Sequence, residues 1–186
     1  MKLLCFFLFV PLVTISQPFG YQPGFLVKNN NDTLFGFVKH IEKVPYRILV
    51  DVKFKSNKED KVESFPPDSL KEFVIDKTKY VSKYLSLRKN KYFFQATIEG
   101  YLSYYELDLS KWGANNISHY VILQKQNDGN LFTYEVNNFF FPFKKKLSQY
   151  LVDDPELSKK IKHNIYNEMN IITIVKEYNS FIKKET

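Results

Sequence analysis

Glu106 and Asp108 stand two residues apart in the strand-like stretch Tyr101–Leu109, a spacing that puts both carboxylates on one face of a strand. Paired carboxylates are what a retaining glycoside hydrolase needs, with the two groups about 5 Å apart across the scissile bond. Two acids alternating along a strand equally suit a solvated face, and that is the simpler reading. The other chemistry-bearing residues are scattered. His40, His119 and His163 lack the paired spacing of a zinc site. Asn29–Asp32 offers oxygens but no closing acid before Glu42, so it reads as a hairpin corner rather than a calcium loop. There is no Gly-x-Ser-x-Gly elbow, and the 6 glycines are isolated, so no phosphate-cradling loop is expected. No cofactor is expected.

Two binding surfaces remain. Tyr101, Tyr104, Tyr105 and Trp112 lie close in sequence, and aromatic platforms stack on sugars or bases. Strand alternation would turn Tyr101 and Tyr105 one way and Tyr104 the other, leaving one set for the core. Lys144, Lys145 and Lys146 open a helical stretch, where positive charge opposes the helix dipole. They are candidate contacts for an anionic surface, although a solvated first turn explains them too.

The elements that position these residues begin after residue 16. Met1–Lys2, the apolar run Leu3–Val13 and the small residues Thr14 and Ser16 form a secretory signal pattern, with cleavage expected between Ser16 and Gln17. The run is too short to span a bilayer, which takes roughly 20 residues, and Pro11 interrupts it. Cleavage would remove Cys5, the only cysteine, and with it any disulfide or thiolate chemistry. The expected location is the periplasm or the outer cell surface.

The 186 residues suit one domain, residues 17–186. Aromatics reach 17%, with 18 Phe and 13 Tyr, which favours pleated, half-buried surfaces. The formal charge is +7, but among 27 basic residues only Arg47 and Arg88 are arginine. Lysine is a point charge rather than a bidentate fork, so nucleic acid is not the expected partner. Strand patterns fill residues 24–136, including the clear alternation of Ile48, Val50, Val52 and Phe54. Asp68 reads as the N-cap of one helical turn between two strands, and Asp128–Gly129 as a hairpin turn. Helical periods take over at residues 144–183, with Asp154 as N-cap, Pro155 at the first helical position, and a stripe of Ile171, Val175, Tyr178 and Ile182. Strands first and helices last give an α+β fold. It is a mostly antiparallel meander of about eight to ten strands, open or barrel-like, followed by two or three helices.

Four stretches together carry a resemblance: GFLVKNNNDTLFGFV (24–38), FPPDSLKEFVI (65–75), IEGYLSYYELD (98–108) and DDPELSKKIKHNIYNEMNIITIVKEYN (153–179). The chain resembles an uncharacterised family of exported proteins from Bacteroidetes that open with a strand, a Gly-Asp-Thr-Leu turn and a second strand. Asn31 stands where the resemblance places Gly, and Asp154 where it places a Cys in many relatives. The resemblance implies export but no activity, and no functional residue transfers from it. The expectation is a non-enzymatic binding or assembly module of the cell envelope, with an envelope protein or glycan as partner. The alternative is a glycan- or peptide-directed hydrolase using strand carboxylates.

Overall fold

The structure is a computed structural model, and it describes residues 18–39, 51–110, 117–126 and 129–185. The expected leader with Ser16 and Gln17, His40, the strand segment 47–50, Trp112 and Asp128 fall outside these ranges.

Ten strands form one antiparallel sheet: β1 (Gln22–Lys28), β2 (Thr33–Lys39), β3 (Val52–Lys55), β4 (Glu63–Phe65), β5 (Leu70–Ile75), β6 (Thr78–Leu85), β7 (Asn90–Ile98), β8 (Leu102–Ser110), β9 (Ile117–Lys125) and β10 (Leu131–Glu135). Three helices follow: α1 (Phe143–Tyr150), α2 (Pro155–Lys162) and α3 (Ile171–Glu185). The spatial order is β10-β9-β8-β7-β6-β5-β1-β2-β3-β4, so the sheet is open and β1 lies inside it. The chain lays down one meander from β1 to β4, then returns to the other side of β1 and builds a second, from β5 to β10.

That return bends the sheet. In a flat sheet the link from β4 to β5 would have to cross four strand spacings, roughly 19 Å. Residues 66–69 fall short of that even when fully extended, at about 3.5 Å per residue. Pro67–Ser69 instead wind into a 3-10 turn, so β4 must curl back towards β1 and β5. Lys28 of β1 indeed lies 5.8 Å from the ring centre of Phe65 in β4. The turn starts after Pro66 and no side chain caps it. Asp68 therefore has a different task from the one its sequence context suggests. Its carboxylate pairs with Lys91 at 3.3 Å, and its carbonyl accepts a hydrogen bond from Asn29 Nδ2 at 2.6 Å.

The hairpin corner at Asn29–Asp32 forms as its residues dictate. Val27 faces Thr33 across the antiparallel pair, and the Asp32 carbonyl accepts the Lys28 N–H at 2.9 Å. Asn31 takes φ 72°, a left-handed conformation that asparagine tolerates better than most residues. Gly36, opposite Gly24, is needed for close approach: a Cβ there would sit 2.3 Å from the Lys55 carbonyl oxygen.

Residues opposite each other in the ladder share a face, which defines a front and a rear. On the front, Leu26, Val38, Phe54, Phe73, Tyr80 and Phe93 make one core in the curled half, with the Phe73 and Tyr80 rings stacked at 4.7 Å. Also on the front, Leu102, Tyr104, Val121, Leu123, Phe132 and Tyr134 take the apolar stripes of the three helices. The α3 stripe forms as the sequence periodicity predicts, with Ile171, Ile174, Val175 and Tyr178 buried. On the rear, Val81, Leu85, Phe94, Tyr105, Tyr120 and Ile122 form a third core. Lys83 and Arg88 lie over its Tyr105 and Tyr120 rings.

Helix α3 is fastened to β8 by side-chain amide bonds. The Leu102 N–H donates to Asn179 Oδ1 at 2.7 Å, and Asn179 Nδ2 donates to the Leu102 carbonyl at 3.0 Å. Gly100 leaves room for this clamp.

Candidate functional site

The carboxylates singled out by their spacing do share the front face, and β9 brings His119 between them. His119 Nδ1 lies 2.6 Å from Asp108, and Nε2 lies 3.7 Å from Glu106. Glu106 also accepts hydrogen bonds from Thr97 of β7 at 2.5 Å and from the Tyr104 hydroxyl at 3.2 Å. Burial, and after it the Glu106 charge, raise the Tyr104 hydroxyl pKa, so it remains a neutral donor. Nearby in the front core, the Tyr134 hydroxyl is buried without a hydrogen-bond partner among the described residues. Chemically, the arrangement can hold His119 in one tautomer through Asp108 and offer Nε2 as a base. It also cross-links β7, β8 and β9, a structural task that accounts for the Glu106 contacts with Thr97 and His119. A comparable set lies on the rear, where Lys79 bridges Glu72 at 3.0 Å and Glu99 at 2.9 Å.

The three lysines of α1 do not act together. Lys144 and Lys145 line a depression of about 360 Å³ with Ser148, Gln149 and Lys162, the last coming from the final turn of α2. Lys146 turns away, its ammonium 4.8 Å from the centre of the Phe141 ring. Two features build the depression. Leu147, Leu151, Leu157 and Ile161 bury the facing stripes of α1 and α2. Ser158 Oγ donates to the Ser148 carbonyl at 2.8 Å, a small-residue contact that draws the helices together. The Lys144 ammonium donates to Asn164 Oδ1, just past the end of α2. The lining includes three lysines and no acidic residue. It can receive an anion through charge, through the Gln149 amide and through the lysine stems.

The aromatic platform expected from Tyr101, Tyr104, Tyr105 and Trp112 is not assembled from its tyrosines. Tyr104 is 4% exposed in the front core and Tyr105 is 7% exposed in the rear core. Tyr101 precedes β8 rather than alternating within it, so it packs against the front core beside Tyr104's side of the sheet. Trp112 lies outside the described residues. Among the described residues no group of His, Cys, Asp and Glu is placed to hold a metal ion, and no helix is long and apolar enough to cross a membrane.

Sequence reasoning misses His119 and Lys162. Each becomes a site residue only through partners: the β8–β9 register sets His119 opposite Asp108, and the α1–α2 packing swings Lys162 towards Lys144. Neither carries a local signal. Comparison with protein-family models, with curated proteins and with solved structures returns no match.

Proposed function

We propose that the chain is an exported, non-enzymatic binding module of the cell envelope that engages an anionic group through Lys144, Lys145 and Lys162. The observation that carries this is the convergence of three lysines from two helices on one depression without a lining carboxylate. Helix stability accounts for Lys162, in the last turn of α2, but not for Lys144 and Lys145, which sit in the first turn of α1 at the positive end of the dipole. The leader-like N-terminus supports the envelope as the location. A titration with inorganic phosphate, followed by amide NMR shifts, tests the site. Saturable shifts at Ser148, Gln149 and Lys162 that vanish in Lys144→Glu/Lys145→Glu are expected; their absence in the native protein overturns the proposal.

The Asp108–His119 pair favours a second reading, a hydrolase acting on envelope glycans or peptides with Nε2 as general base. Turnover of such a substrate, abolished in His119→Ala and falling in Asp108→Asn, would establish it. Turnover unchanged in His119→Ala would remove it.

A further inference from the structure

Phe139 and Phe140 are each 98% exposed, and Met169 is 93% exposed. They do not sit on loose chain. The Phe141 N–H donates to the Asn138 carbonyl at 3.0 Å, and the Phe140 N–H to Asn138 Oδ1 at 3.1 Å. Asn137, at φ 61°, donates its N–H to Glu168 Oε1 at 3.2 Å, joining this turn to the 3-10 turn that carries Met169. The same local links reach the lysine depression. Lys144 follows Phe140 by four residues, and its ammonium bonds Asn164, whose neighbour Ile165 is 65% exposed. Exposed Phe139 and Phe140 thus stand within six residues of Lys144 and Lys145 in the chain, and exposed Ile165 three residues after Lys162, with the Asn137–Glu168 and Lys144–Asn164 bonds tying these segments together.

We infer that this end of the helical layer docks on an anionic phospholipid surface, with Phe139 and Phe140 inserting among the acyl chains and Lys144, Lys145 and Lys162 meeting the headgroup phosphates. The inference rests on the anion-binding role proposed above and names its ligand. Two independent features select this occupant. A soluble anion would use the lysines but leave two fully exposed phenylalanines unexplained. An apolar protein groove would use the phenylalanines but not three lysines free of lining carboxylates. A lipid interface takes both at once, because apolar burial and attraction to anionic lipid add there.

The test is co-sedimentation of the full chain with vesicles of phosphatidylcholine alone or mixed with phosphatidylglycerol, with far-UV circular dichroism confirming that each variant is folded. Binding only to the anionic vesicles is expected. Phe139→Ser/Phe140→Ser and Lys144→Glu/Lys145→Glu should each weaken it by at least about tenfold. Phe35→Ser, at a 74% exposed position on β2, serves as the control and should leave it unchanged. Equal binding to both vesicle types, or binding that survives Phe139→Ser/Phe140→Ser, overturns the inference. Loss of a dimer in size-exclusion chromatography of that variant, without vesicle binding by the native chain, overturns it in favour of a second copy as the occupant. Absent vesicle binding with intact phosphate-induced shifts sinks the lipid surface but leaves the anion site. Vesicle binding that needs the phenylalanines and ignores the lysines overturns the inference, and the phosphate titration alone then decides the anion site.

Discussion

Asp154 is 3% exposed, and its carboxylate accepts the Leu157 N–H at 3.0 Å. That bond caps α2 at a point where water cannot reach the freed amide. Replacement by alanine removes the cap and leaves a buried donor unpaired, so Asp154→Ala is expected to cost about 1–2 kcal/mol. Asp154→Asn, which keeps an acceptor, should cost a few tenths. Urea denaturation of both variants checks the ordering, and an equal loss in the two would break the capping argument. This residue was legible in the sequence because Asp-Pro at a helix start carries its mechanism locally. Asp68 shows the opposite case. It has the composition of a cap, but Pro66–Pro67 and the immediate start of β5 allow only a 3-10 turn, and its side chain goes to Lys91 on another strand.

Between elements, the fastening of α3 to the sheet depends on two side chains whose roles are coupled. A Cβ on Gly100 would stand 2.9 Å from Asn179 Nδ2, and that amide cannot yield without losing its bonds to Leu102. Gly100→Ala is expected to destabilise by about 1–3 kcal/mol through overpacking. Asn179→Ala should cost a similar amount, about 1–3 kcal/mol, by orphaning the Leu102 N–H. The double variant should lose less than the sum, because alanine at 179 makes room for alanine at 100; strict additivity in urea denaturation would refute the clamp. A second tie joins α3 to β9 through the link between α1 and α2. Asp153 takes Lys125 Nζ at 2.7 Å and the Tyr178 hydroxyl at 2.5 Å. Burial acts to raise the Asp153 pKa, but the hydrogen bonds from Lys125 and then Tyr178 outweigh it and hold the carboxyl below its usual value. A depressed folded pKa means the stabilisation is complete above the unfolded value of about 3.9 and is lost as pH falls through the folded value. The stability gap between the native chain and Asp153→Asn should therefore be open at about pH 7 and closed at about pH 2. A gap that persists in acid would show that packing, not charge, sets it. Helix positions and strand alternation were readable from periodicity, but these ties were not. Leu102–Asn179 and Lys125–Asp153 bring together residues whose separation only the tertiary fold removes, and the His119–Asp108 and Lys144–Lys162 neighbourhoods share that property.

For the whole molecule, the order of strands was the illegible feature. Alternating apolar residues announce strands without saying that β5 returns to the flank of β1, and that return curls the sheet and divides its apolar surface into three cores. Strands β6 and β7 link the front core of the curled half to the rear core, as β8 and β9 link the rear core to the helix-covered one. Tyr80 and Phe93 face the front core of the curled half, while their neighbours Val81 and Phe94 face the rear core. Loss of packing on one side therefore loosens strands on which the other side depends. One cooperative unfolding transition is expected rather than separate melting of the β1–β5 half and the helix-covered half. Phe73→Ala in the front core and Phe94→Ala in the rear core should each cost about 3–5 kcal/mol. Both should shift far-UV and near-UV circular dichroism transitions together, since the near-UV signal draws on tyrosines in all three cores. If Phe73→Ala splits the two signals, with the tyrosine signal of the helix-covered core melting later, the sheet does not couple its halves and the chain is two folding units on one ladder.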